Sequence, residues 1–191
     1  MKLPIDQRPV IVAVAGPNGA GKSTFFQAHL KMAGLRFINA DDLARELAIG
    51  AYEAADLAAR LRRELVERRE SFIFETVLSD PVGEKVEFLR AAARSGYTVA
   101  LCFIGLESAE ISAQRVSMRV LQGGHDVPDD KLVSRFNRIL SNLHLAIRDL
   151  PLVHVFDNSD LRHPYRKVAE FEDGKTKALF QPVPSWLQLP P

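Results

Sequence analysis

The sequence predicts an α/β domain: a five-stranded parallel sheet flanked by helices, with a β-hairpin at the C-terminal end. Three observations predict it. Five short apolar runs, at residues 9–15, 35–38, 71–74, 97–104 and 152–156, alternate with segments of helical spacing. Runs such as PVIVAVA and SFIF are continuous rather than alternating, as in strands buried on both faces of a parallel sheet. The first run ends at a glycine-rich loop that opens onto a helix. The chain has 191 residues, which suits a single domain over 1–191 with one buried core.

The elements follow in order. Residues 9–15 are β-branched and apolar and end at Gly16, so they read as a buried strand. Helical spacing runs from 21 to about 33, and a short strand at 35–38 precedes Asn39-Ala40-Asp41-Asp42. Residues about 53–69 form a helix with Leu57, Leu61 and Leu65 on one stripe. The third strand, 71–74, ends at Glu75, and a helix over 84–95 stops at Gly96. A fourth strand spans 97–104. Helices at about 108–121 and 129–149 are separated by GGHDVP, and Pro128-Asp129-Asp130 is a strong helix start. Residues about 106–130 are a candidate lid. The fifth strand, 152–156, is followed by Asp157-Asn158-Ser159. In the C-terminal region, about 165–191, the segments 167–171 and 176–180 flank Glu172-Asp173-Gly174-Lys175 as a hairpin would. The last ten residues, PVPSWLQLPP, read as an arm pinned by Trp186.

Composition narrows the class. A formal net charge of +1 argues against a dedicated nucleic-acid binder, which carries a strongly basic face. No apolar run is long enough to span a bilayer, and the first one is too short for a signal peptide. A single cysteine, Cys102, excludes an internal disulfide framework. The expected location is the cytoplasm, with no membrane partner.

Residues 15–24, AGPNGAGKST, contain the phosphate-loop pattern G-x-x-x-x-G-K-[ST]. Gly16, Pro17, Asn18, Gly19, Ala20, Gly21, Lys22, Ser23 and Thr24 are therefore the candidate nucleotide-binding residues. Backbone N–H groups and a helix N-terminus would cradle the β-phosphate. Lys22 would reach the β- and γ-phosphates of ATP, and the Ser23 hydroxyl would bind Mg²⁺. Thr24 either touches the α-phosphate or begins the helix.

Ligands of an open α/β sheet bind beyond the carboxyl ends of its strands. Asp41 and Glu75 lie at two such ends. A kinase needs a group to accept the proton of the attacking hydroxyl, and Asp41 is the candidate. The competing reading is helix capping, with one of Asp41 and Asp42 as the cap. Glu75 fits a Mg²⁺-water ligand or a substrate-hydroxyl acceptor. Arg115 and Arg119, spaced i and i+4, share one helix face in the candidate lid. Arg115 would stabilise the charge of the transferring phosphoryl group. Arg119 and His125 are further candidate phosphate contacts, and Arg135 and Arg138 follow on the next helix.

The same phosphate loop occurs in many ABC transporter ATPases, and Leu121-Gln122-Gly123-Gly124-His125 superficially resembles their signature. No helical subdomain accompanies it, and Asn158 stands where a catalytic glutamate would follow a Walker B strand. These residues point to an ATP-dependent kinase acting on a hydroxyl of a small molecule. Two alternatives stay open: an ATPase or nucleotide switch without an acceptor, and a polynucleotide or RNA kinase.

GPNGAGKST, INADD, FIFETVLSD and RVSMRVLQGGHDVP, in this order and spacing, resemble the zeta toxin family of P-loop kinases, in particular its small chromosomal members, often labelled predicted ABC-type ATPases. The resemblance covers about residues 9–160. It implies an adenylate-kinase-like core with strand order 2-3-1-4-5. By matching positions, Lys22 and Ser23 would hold phosphate and Mg²⁺, Asp41 would activate the acceptor hydroxyl, Glu75 would sit in the substrate cleft, and Arg115 would bind the γ-phosphate. Characterised zeta toxins phosphorylate a sugar hydroxyl of UDP-N-acetylglucosamine, so the resemblance makes a sugar nucleotide the named candidate acceptor. His125 falls where the toxins carry a second phosphate-binding arginine, and an alanine where they carry an acid before the third strand. Toxicity is not carried over by this match, and an antitoxin stays open as a partner.

Overall fold

The computed structural model describes residues 4–121 and 129–189. In chain order the strands are β1 (Val10–Ala15), β2 (Arg36–Ile38), β3 (Phe72–Thr76), β4 (Thr98–Gly105), β5 (Leu152–Asp157), β6 (Arg166–Glu172) and β7 (Lys175–Leu179). The helices are α1, which starts at Lys22–Phe25, then α2 (Ala40–Leu47), α3 (Ala51–Glu67), α4 (Glu84–Arg94), α5 (Ala109–Leu121) and α6 (Asp129–Asp149). The strands form one sheet in the order β2-β3-β1-β4-β5-β6-β7.

The first five strands are parallel and take the order expected from the resemblance. β1 lies between β3 and β4 and every residue in it is buried. Its alternate side chains feed two cores. Ile11, Ala13 and Ala15 face α3, α4 and α6, whereas Val10, Val12 and Val14 face α1 and α5. Continuous apolarity in the strand is thus the consequence of two covered faces. The register sets Val14 opposite Glu75, so the end of β3 emerges beside the loop that leaves β1.

Two expectations need correction. The sheet is mixed and seven-stranded, because the C-terminal hairpin adds to it: β6 pairs antiparallel with β5 and β7 with β6. Without β6, the buried strand β5 would expose an unpaired edge, and Val168, Ala169 and Phe171 are buried in covering it. The hairpin turn has positive φ at Asp173 (49°) and Gly174 (76°), as a two-residue type I′ turn requires. The first helix is not continuous: a four-residue α segment passes into a π turn (Phe26–Leu30) and then a 3₁₀ turn (Lys31–Ala33). α2 and α3 are separate helices. The break falls at Ala48, whose φ of 53° is left-handed.

His154 in β5 is 1 % exposed, opposite Cys102 in register and 3.5 Å from Glu170. Burial lowers its pKa to about 4, Lys167 pushes the same way, and Glu170 opposes both. The unfolded chain, with the ordinary value of 6.5, therefore binds this proton first. Stability is fully present above the unfolded value and falls as pH drops from there towards 4, by about 3 kcal/mol in all. Urea midpoints measured across this range should show the loss, and His154→Met should flatten its upper half, above about pH 5, where carboxylates titrate little.

Candidate active site

The phosphate loop is held from outside by its carbonyls. Lys22 Nζ donates to the Pro17 carbonyl (3.1 Å), Ser112 Oγ to Asn18 (2.7 Å), Asn158 Nδ2 to Ala20 (2.9 Å) and the Tyr165 hydroxyl to Gly21 (2.9 Å). In a planar trans peptide the next N–H points opposite its carbonyl, so fixing the carbonyls also orients the donors that would face a phosphate. Gly19 sits under α5 with φ +72°. A Cβ there would lie 2.9 Å from Arg115 Cβ and 3.1 Å from the Ser112 carbonyl, so glycine lets α5 close on the loop.

Glu75 is the hub of the acidic side. Its Oε2 accepts from Ser23 Oγ (2.7 Å) and Asn39 Nδ2 (3.1 Å), and its Oε1 lies 3.6 Å from Lys22 Nζ. Lys22 is 6 % exposed, so this pair is shielded from solvent. Asn39 Oδ1 in turn accepts the Asp41 N–H at 2.8 Å and caps α2. The cap is therefore Asn39, and neither Asp41 nor Asp42 has that task. Asp42 pairs with Arg45 at 2.7 Å. Asp41 is exposed, and its carboxylate has no hydrogen bond or ion pair among the described residues.

Arg115 lies against Gly19, with Nη2 donating to the Ser159 carbonyl at 2.9 Å. Partial burial lowers its pKa, while Tyr165 and Asp157 act in the opposite direction. Burial raises the Tyr165 pKa, and the neighbouring Thr24 hydroxyl and Arg115 oppose it. His125 and the side chain of Arg119 lie outside the described residues. Arg135 and Arg138, on α6, have no hydrogen bond or ion pair to the loop or the acids among the described residues.

Four residues at the site carried no assignment in the sequence: Asn39, Ser112, Asn158 and Tyr165. Asn39 had a local signal, an Asx residue directly before a helix that opens with two acids. Asn158 followed a strand end, the place where ligand contacts gather. Nothing local marked Ser112 or Tyr165. Asn158 is 3 % exposed and joins Ala20 to the Tyr165 N–H (3.2 Å). Asn158→Ala is expected to lower unfolding free energy by about 2 kcal/mol, because two buried partners lose their bonds. Denaturant titration measures it.

A parallel core in this strand order, a phosphate loop after β1, and acids at the ends of β2 and β3 define a P-loop kinase fold. The chain belongs to the zeta toxin family: the Zeta toxin family model matches residues 35–169, which include Asp41, Glu75, Arg115 and Tyr165 and begin after the phosphate loop. A Haemophilus influenzae protein described as uncharacterized is 27 % identical over 129 residues, 63 % of this chain and 88 % of its own. Among solved structures, the AvrRxo1-ORF1:-ORF2 crystal structure with ATP superposes with a TM-score of 0.70 at 21 % identity over 90 % of this chain and 60 % of that one. The chain thus spans about three-fifths of the length of that relative. The toxin–antitoxin system PezAT of Streptococcus pneumoniae superposes at 0.55 with 18 % identity, over 86 % of this chain and 71 % of that one. Among the described residues no helix is long and apolar enough to cross a membrane.

Proposed function

We propose that the protein is an ATP-dependent kinase that transfers the γ-phosphate to a hydroxyl of a small molecule, with Asp41 as the proton acceptor. The observation that carries this reading is the Asn39 bridge. One side chain ties Glu75, beside Lys22 and Ser23, to the backbone of Asp41. A carboxylate with no hydrogen bond or ion pair among the described residues is thereby held near the phosphate site, where a proton acceptor is needed. An ATP complex of a structural relative supports the choice of nucleotide.

The residues also fit Mg²⁺. Ser23 Oγ and Glu75 Oε2 are hard oxygen donors 2.7 Å apart at the loop, the donor type that Mg²⁺ takes alongside nucleotide phosphates. Ser23 would hold the ion, with Glu75 beside it directly or through water. The ion would neutralise charge on the β- and γ-phosphates. Asp41 takes the acceptor's hydroxyl proton as that oxygen bonds to the γ-phosphorus. The bond from γ-phosphorus to the β-bridging oxygen breaks and ADP leaves. Lys22 and Arg115 stabilise the negative charge. Glu75 lies between the metal side and the acceptor side through Asn39, so it also borders the substrate. A sugar nucleotide such as UDP-N-acetylglucosamine is the first acceptor to try. An antitoxin is the first protein partner to try, by the likeness to PezAT.

The test is ADP release from Mg-ATP with and without sugar nucleotides, sugars, nucleosides and oligonucleotides. A small-molecule acceptor that accelerates release supports the reading. Release that nothing accelerates marks an ATPase, and acceleration by oligonucleotides alone marks a polynucleotide kinase.

A further inference from the structure

Behind Arg115 stands a chain of contacts that ends in the C-terminal arm. The Ser159 carbonyl that receives Arg115 is itself held in place. Ser159 N–H and Oγ both donate to Asp157 Oδ1 (3.1 and 2.5 Å), and Ser159 Oγ accepts the Glu107 N–H (2.8 Å). The other carboxylate oxygen of Asp157 pairs with Arg166 Nη2 at 3.0 Å. Arg166 is the register partner of Asp157 across β5 and β6, and its Nη1 donates to the Pro182 carbonyl at 2.7 Å. Asp157 is 8 % exposed. Further along the arm, Trp186 covers Gly105, where a Cβ would meet the indole at 2.2 Å. The Gly105 carbonyl accepts the Asn158 N–H at 3.0 Å. The arm is therefore linked, through Gly105 and through Arg166 and Asp157, to both residues that follow Asp157.

We propose that Arg166, anchored on the C-terminal arm, is a positioning residue for Arg115: it orients Asp157, Asp157 clamps Ser159, and the Ser159 carbonyl sets the Arg115 guanidinium above the phosphate loop. This rests on the reading that Arg115 contacts nucleotide phosphate. The guanidinium fork suits the task, because its two arms reach two different acceptors, which a lysine cannot do in the same geometry. A long, flexible arginine side chain loses much rotamer freedom when it is fixed. Holding Arg115 in place before nucleotide binds removes part of that cost from binding.

A double-mutant cycle tests the proposal, with the Mg²⁺ complex of a non-hydrolysable ATP analogue as the probe and calorimetric affinity as the readout. Arg115→Met is expected to weaken binding about tenfold, the loss of one charge-assisted contact. Arg166→Met should cause most of the same loss in the wild-type background and none in the Arg115→Met background, with Arg166→Lys in between. Because Arg166→Met leaves a buried carboxylate unpaired and lowers stability, Trp186→Leu is the second variant. It loosens the arm with the ion pair intact, and its smaller loss should likewise vanish when Arg115 is absent. Losses that multiply in the double variants, or an Arg166→Met protein that binds like wild type, would overturn the positioning role alone. Undiminished binding by Arg115→Met would overturn the phosphate role of Arg115 and the positioning role with it.

Discussion

Lys22→Ala is expected to reduce phosphoryl transfer by on the order of 10³-fold, the scale set by losing one preorganised charge at the reacting phosphate. The effect has two parts. The ammonium that would meet the β- and γ-phosphates is removed. Glu75, 3.6 Å away and shielded, also loses the ammonium beside it, which adds a less balanced carboxylate near the incoming phosphates. Nucleotide affinity should therefore fall along with turnover. The fold should persist, because the loop is also tied down by Ser112, Asn158 and Tyr165. Thermal unfolding of the variant, beside its steady-state kinetics, separates loss of chemistry from loss of structure. Transfer within about tenfold of wild type would remove Lys22 from the mechanism.

Asp41→Asn is expected to keep nucleotide binding and lose transfer by on the order of 10²–10⁴, the usual contribution of a positioned proton acceptor. The substitution is nearly isosteric and keeps the N–H that Asn39 caps, so α2 should remain in place. Asp42→Asn is the matched control. Among the described residues its carboxylate pairs only with Arg45 within α2, an exposed i,i+3 contact that contributes little. Loss of transfer from Asp42→Asn, with Asp41→Asn active, would exchange the two assignments.

Much of this arrangement could be read from spacing. The phosphate loop is a local pattern, and continuous apolar runs between helical segments dictate a parallel sheet, which in turn sends Asp41 and Glu75 to one end of it. What escaped the sequence was tertiary. Whether the Asp173-Gly174 hairpin stands apart or extends the sheet depends on the unpaired edge of β5, which no local pattern records. Ser112 lies 94 residues from the Asn18 carbonyl it holds, and Tyr165 lies 144 residues from Gly21. The aspartates drew attention as caps because acids favour helix starts, yet Asn39 occupies the cap, which is compatible with the role proposed for Asp41. Arg115 stood out by its place on the helix after β4, but its bond to the Ser159 carbonyl, 44 residues away, was not legible.

The mass of the product tests transfer to a hydroxyl beside Asp41 most directly. Wild-type protein, Mg-ATP and a panel of small hydroxylated acceptors should yield one acceptor heavier by a phosphoryl group, with ADP formed in equal amount, and the Asp41→Asn protein should yield almost none. Equal ADP from both proteins, with every acceptor unchanged in mass, would contradict the account.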